Sequence, residues 1–156
     1  MAYRFQVAIG CARPHELADW WAETLGWTVE EQDEDFIRRM IAEGYATDDD
    51  TSRHHGRLVW SDGAAIRHPD SAGPASPWSR VLFQVVPEAN QTVRKTKNKL
   101  HLDIRVGDDD VDAVVARPGE RGAAFLRTGE QAPRTWVTIA DPEGNEFCVL
   151  RPRPAE

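Results

Sequence analysis

Cysteine is scarce. Cys11 and Cys148 are the two in 156 residues, too few and too far apart for a zinc ribbon or a disulfide framework, so both are expected as reduced thiols. No apolar run approaches the roughly 20 residues that span a bilayer, and Met1-Ala2-Tyr3-Arg4-Phe5-Gln6 lacks the long apolar segment of a secretory signal. A cytoplasmic protein without a membrane partner is the expectation. Positive charge is short as well: the formal net charge is -7, and the three lysines, Lys95, Lys97 and Lys99, crowd into one stretch. Nucleic acid and anionic membrane surfaces are therefore not expected partners.

What is present suits one domain, residues 1–156, since 40% hydrophobic residues in 17.5 kDa fill one good core and fall short of two. In Phe5 to Cys11, Val7, Ile9 and Cys11 share one strand face, while Gln6, Ala8 and Gly10 share the other. Pro14 and Glu16 then open a helix bearing Leu17, Trp20, Trp21 and Leu25, which Gly26 ends. Trp27 to Glu30 predicts a strand, and the acidic stretch through Asp35 opens a second helix with Phe36, Ile37, Met40 and Ile41, stopped at Gly44. Asp48 to Gly56 is expected as a polar loop. Arg57 to Trp60 follows as a strand that Ala64 to Arg67 continues or pairs with, and a loop from Ser71 to Pro77 leads to the strand Val81 to Val86.

Pro87 to Lys99 loses apolar periodicity, which makes 88–99 a linker, and strict alternation resumes at Leu100 to Val106. Asp108, Asp109 and Asp110 offer helix caps for a short stripe of Val111, Val114 and Val115 that Pro118-Gly119 cuts off. Strands are expected at Ala123 to Leu126, Thr135 to Ala140 and Asn145 to Leu150, the last two joined by the turn Asp141-Pro142-Glu143-Gly144. Each half thus runs strand, helix, then about three strands, and each closes alike, Phe83-Gln84-Val85-Val86 against Phe147-Cys148-Val149-Leu150. An internal duplication is the reading. Module 1 covers 3–87 with a helical insertion at about 33–56, and module 2 covers 100–152.

A duplicated βαβββ unit with the opening Asn98-Lys99-Leu100-His101-Leu102-Asp103 and the closing Asp141-Pro142-Glu143-Gly144-Asn145 resembles the vicinal oxygen chelate superfamily and its glyoxalase-like subgroup. That superfamily holds glyoxalase I, extradiol dioxygenases, and fosfomycin- and bleomycin-resistance proteins. The resemblance implies an α+β fold of mixed, curled sheets with helices outside, enclosing a cup for a small organic ligand, often with a divalent metal. The cup forms within one chain or between chains, so a monomer and a homodimer are both open. Carried over by position, the metal places fall on Gln6, Gln84, His101 and Cys148. His101 keeps a familiar ligand type, but a thiol replaces the final carboxylate and two carboxamides fill the first half, donors that repay little of the dehydration of a dication. Glu146 shares the Cys148 face one strand repeat away, about 6.6 Å, too far to substitute for it. No cofactor, and weak divalent-metal binding at best, is therefore expected.

Alternation sets His101, Asp103 and Arg105 on the face that the resemblance directs into the cup. Three ionisable groups there need partners, ligand or water, and a carboxylate beside an imidazole can serve as acid or base. His101 and Asp103 are thus the candidate catalytic residues, with Gln6, Gln84, Arg105, Trp136, Glu146 and Cys148 as ligand-binding candidates; the alternative is a structural hydrogen-bond cluster. Trp20 and Trp21 are read as core, while Trp60, Trp78 and Trp136 are candidate pocket walls. His54-His55 in an acidic loop invites a metal reading, but solvated surface is the preferred one, and His15-Glu16 lacks the second histidine of a metalloprotease helix. The inserted helix either roofs the cup or adds a core layer away from it. The expected function is a binding or sequestration protein or a metal-independent acid–base enzyme; the alternatives are a metal-dependent lyase or dioxygenase and a domain that kept the fold without chemistry.

Overall fold

The structure, a computed structural model, describes residues 7–70, 80–86, 101–106, 111–131 and 134–151. Gln6, Trp78, the 71–77 loop, the 88–99 linker with its lysines, the Asn98-Lys99-Leu100 opening and the Asp108 to Asp110 caps lie outside the described residues. The chain divides into two compact units, Met1–Gln91 and Thr92–Glu156.

In the first unit β1 (Val7–Cys11), α1 (Pro14–Leu25) and β2 (Thr28–Val29) are followed by an inserted helix α2 (Glu34–Ala42), a 3-10 turn (Asp48–Asp50) and the strands β3 (Thr51–His54) and β4 (Arg57–Trp60); β5 (Gly63–Arg67) and β6 (Arg80–Val85) complete the unit. Its sheet has the order β1-β6-β5-β2, with β1 parallel to β6 and the other pairs antiparallel. The second unit carries β7 (Leu102–Arg105), α3 (Val111–Glu120), β8 (Ala124–Gln131), β9 (Arg134–Ala140) and β10 (Glu146–Leu150). Its order is β7-β10-β9-β8, again with the first strand parallel to the last and the rest antiparallel. The same βαβββ topology therefore occurs twice, the α+β duplication that the sequence predicts.

Helix α1 ends where Gly26 turns left-handed at φ 66 and Trp27 N–H reaches back to Ala22 O at 2.8 Å. The helix packs on β5 and β6, burying Leu17, Ala18 and Trp21 together with Ala64, Ile66, Val81 and Phe83. Each fully buried Phe or Ile stabilises by about 2 kcal/mol. Trp20 and Trp21 meet edge to face, 5.2 Å between centroids, both in the core. Helix α2 starts at Asp33, whose carboxylate accepts from the N–H groups of Asp35 and Phe36. It packs on β4 with Ile37 fully buried and Phe36 exposed.

Several expectations needed correction. The polar stretch 48–56 is not all loop: β3 pairs with β4 in a hairpin closed by His55 and Gly56, at φ 48 and 80, the left-handed pair that a two-residue turn of matching twist requires. β5 pairs with β2 and β6 and neither continues nor pairs with β4, because Ser61 N–H bonds Asp50 O and Asp62 O accepts from Val85 N–H, turning the chain between them. Helix α3 runs through Pro118 to Glu120; a proline in the last turn forfeits a single bond, and Pro118 O accepts from Arg121 and Ala123 N–H. β8 extends past Leu126 to Gln131 across a bulge between Phe125 and Arg127.

The turn before the last strand is built by one side chain. Asp141, 3% exposed, accepts at Oδ1 from the N–H groups of Glu143 and Asn145, both at 2.9 Å, while Asn145 Nδ2 reaches Oδ2 at 2.9 Å. Gly144 follows at φ 86. The Asp-Pro-Glu-Gly-Asn motif thus acts by fixing the entry of β10.

Candidate functional site

The two faces of the second sheet differ in chemistry. Leu102 and Ile104 register with Phe147 and Val149, an apolar layer in which the two β10 residues are buried. The opposite face holds the alternate residues in cross-strand rows. Asp103, Cys148, Thr138 and Arg127 form one row, Arg105, Leu150, Trp136 and Gly129 a second, and Glu146 pairs with Ala140 beside His101. The expected alternation therefore brings His101, Asp103, Arg105, Trp136, Glu146 and Cys148 to a common face.

His101 Nε2 lies 3.2 Å from Asp103 Oδ1, with the side chains 44% and 51% exposed. At that exposure an ion pair adds at most about 1 kcal/mol to stability, so the pair is no mainstay of the fold. Cys148 is buried, and its Sγ sits 3.5 Å from the Oγ1 of Thr138, itself 1% exposed. One donor atom from each of His101, Asp103 and Cys148 lies within 4.8 Å of the others. Sequence reasoning offered a metal His101 with Glu146 or Cys148, and Gln6 besides; the register instead brings Asp103 to His101 and Cys148. Imidazole, carboxylate and thiolate together match the donor preference of a zinc-type ion. Glu146 stands outside this trio and instead pairs with Arg127 at 3.3 Å. The Trp136 indole lies over Gly129, where a Cβ would collide with it.

In the first unit, Gln84 is exposed on the face opposite α1, in one row with Gly10 and Gly63. The next row is Ala8, Leu82 and Ala65. Aligning Gln84 with Cys148 sets Gly10 where the second unit has Asp103 and Ala8 where it has His101. Farther along this face, Glu30 is gripped by Arg67 and by Arg80, the latter through Nε at 2.9 and 3.0 Å. A cleft of about 240 Å³ borders this cluster, lined by Glu30, Arg80, Leu82, Ala65 and Trp60 among others, so Trp60 does wall a hollow.

Sequence reasoning missed Thr138, Arg127 and one further cluster. Asp19 Oδ2 lies 2.7 Å from His54 Nε2 and 2.8 Å from His55 Nε2. His54 is half-buried rather than solvated. Arg127 fell beyond the expected strand end, and Asp19 is 35 residues from His54, out of reach of any local pattern.

A family model described as glyoxalase-like domain matches residues 6–150. A search of curated proteins finds no match. Similar solved structures include a protein from Agrobacterium tumefaciens determined by solution NMR, with TM-score 0.61 and 14% identity over 99% of this chain and 100% of that one. A glyoxalase/bleomycin resistance protein/dioxygenase family enzyme from Burkholderia phytofirmans gives TM-score 0.56 and 15% identity over 93% and 94%. The fosfomycin resistance protein FosX from Mesorhizobium loti gives 0.57 and 10% over 97% and 94%. Those identities speak for the fold alone. The repeated βαβββ topology and the family match over residues 6–150 place the chain in the glyoxalase-like domain family of the vicinal oxygen chelate superfamily.

Proposed function

We propose that this protein binds a small, partly apolar organic molecule on the polar face of its second unit, without a resident metal, and that His101 and Asp103 contact the ligand's polar group. The observation that carries this reading is the convergence of an exposed imidazole–carboxylate pair, a buried thiol and two arginines on one sheet face, with the Trp136 indole two residues along. The pair does little for stability, and a positioned acid and base suffice for an isomerisation or proton transfer. In that chemistry His101 and Asp103 would move a proton at the ligand's polar atom, while Arg105 and Trp136 hold it in place. The same face without turnover would serve sequestration of the ligand.

Replacing His101 by Ala separates these cases, using whatever compound co-purifies and is identified by mass spectrometry. Turnover lost with binding retained means catalysis by His101. Weakened binding with no turnover in either form means a binder. Unchanged affinity and unchanged turnover would overturn the assignment of His101.

The donor trio favours one second reading, a metal-dependent lyase or dioxygenase of the same superfamily. His101, Asp103 and Cys148 would hold the ion, which supplies Lewis acidity toward a substrate oxygen. Metal analysis of protein purified without chelator decides between the two: a stoichiometric ion lost in C148S and H101A selects this reading, and no such ion selects the first.

A further inference from the structure

A second donor cluster lies in the first unit, on elements that contribute nothing to the face described above. Asp19 belongs to α1, between the buried Ala18 and Trp20. His54 ends β3, and His55 is the first residue of the two-residue turn into β4. Successive residues of a strand point to opposite faces, so adjacent histidines are poorly placed to meet at one atom. Here they do meet, because His55 departs from strand geometry: its φ of 48 is the left-handed region, rare for a residue with a side chain, and its ring lies on the same carboxylate oxygen as that of His54. The two rings are 4.1 Å apart between centroids. His15 adds a third ring 5.0 Å from that of His54, fixed by its own Nε2–H donating to Trp60 O at 2.8 Å.

One carboxylate oxygen faces both rings. Each ring can donate a hydrogen bond from Nε2–H to Asp19 Oδ2. One divalent cation can replace both protons and use the same three atoms, because imidazole ligates in its neutral form and carboxylate in its charged form. We propose that Asp19, His54 and His55 form a binding site for a divalent transition-metal ion of the zinc class, which fastens the inserted β3–β4 hairpin to α1. The three donor atoms lie within 4.8 Å of one another. Metal bonds of about 2.0–2.1 Å would hold tetrahedral donors about 3.3 Å apart, so each histidine nitrogen would move out from the Asp19 oxygen by roughly half an ångström. His55, 75% exposed on a turn, is free to make that adjustment. Two nitrogens with one oxygen select zinc, nickel or copper over magnesium and calcium, which favour all-oxygen shells. Three protein donors leave water at the remaining position.

The test is a zinc titration of chelator-stripped, untagged full-length protein, with cobalt as a spectroscopic stand-in, on wild type, D19N, H54A, H55A and the double variant H101A/C148S. The expected result is one equivalent whose affinity falls by roughly a hundredfold or more in H54A, H55A and D19N and is unchanged in H101A/C148S. In wild type, zinc should move the His54 and His55 ring-nitrogen resonances and slow amide exchange in 51–60. H55A removes an exposed side chain and retains the fold, so it keeps the test decisive if H54A does not fold. Equal binding in wild type and H55A, absence of binding by wild type, or loss of all binding in H101A/C148S would overturn the proposal. The last result would at the same time favour the metal reading of the second unit.

Discussion

The two sheets share strand order, strand direction and the closing pattern Phe83 to Val86 and Phe147 to Leu150, yet their exposed faces carry opposite chemistry. In the second unit the matched places hold His101, Asp103, Cys148 and Thr138. In the first they hold Ala8, Gly10, Gln84 and Gly63, side chains that are small or uncharged. Gly10 has little freedom to regain a side chain, since a Cβ there would come 2.9 Å from Val86 Cγ2. The difference teaches that the two units share a topology while, among the described residues, the imidazole, carboxylate and thiol of these places stand on the second alone. The first copy places its ionisable clusters elsewhere, Glu30 with Arg67 and Arg80 farther along the face, and Asp19 with His54 and His55 at the inserted hairpin.

Four variants and one pH series probe that asymmetry. Asp141→Ala removes a buried carboxylate that satisfies two backbone N–H groups and should cost the second unit about 3 kcal/mol, read by faster amide exchange in β9 and β10 with β5 and β6 unchanged. Equal loss in both units would mean that they unfold as one. His101→Ala should weaken binding of the co-purifying compound about tenfold to a hundredfold, or about 1.4–2.7 kcal/mol, by calorimetry, while the melting temperature stays put because the pair is exposed. Gly129→Ala should push the Trp136 indole off its strand, shifting tryptophan fluorescence at a stability cost of about 1–3 kcal/mol, since a Cβ there would collide with the indole ring. Gln84→Ala, the first unit's counterpart of Cys148, should change affinity by less than about twofold.

The smallest effect concerns acid. Hydrogen bonds from Thr47 N–H and Oγ1 hold the Asp50 carboxyl below the usual aspartate value. A depressed carboxylate contributes stability above its unfolded value, about 3.9, and loses it as pH falls through the lower folded value. Thermal melts between pH 5 and pH 2 should therefore show a slight low-pH loss that Asp50→Asn removes.

Where apolar periodicity meets a clear stop, the sequence was enough. Leu17, Trp20, Trp21 and Gly26 define α1 to the residue, and alternation from His101 to Arg105 places the polar face correctly. The hairpin at Thr51–Trp60 was hidden because β3 is polar and largely exposed, so no period marks it; His55-Gly56 was the available turn signal. β8 was cut short for a like reason, as Arg127 to Gln131 are mostly exposed on an edge strand. Cys148 and Asp103 could be placed on a face separately, but their meeting at one level depends on the parallel register of β10 with β7. The partnership of Asp19 with His54 and His55 is a matter of tertiary contact, and nothing local encodes it.

The central claim is that ligand chemistry resides on one copy of the duplicated unit. An amide chemical-shift map recorded against a library of small aromatic and carbonyl compounds tests it most directly. The account predicts that binding compounds move the amides of 101–105 and 147–149 most. Shifts confined to 8–10, 63–65 and 82–84, or no binding compound at all, would contradict it.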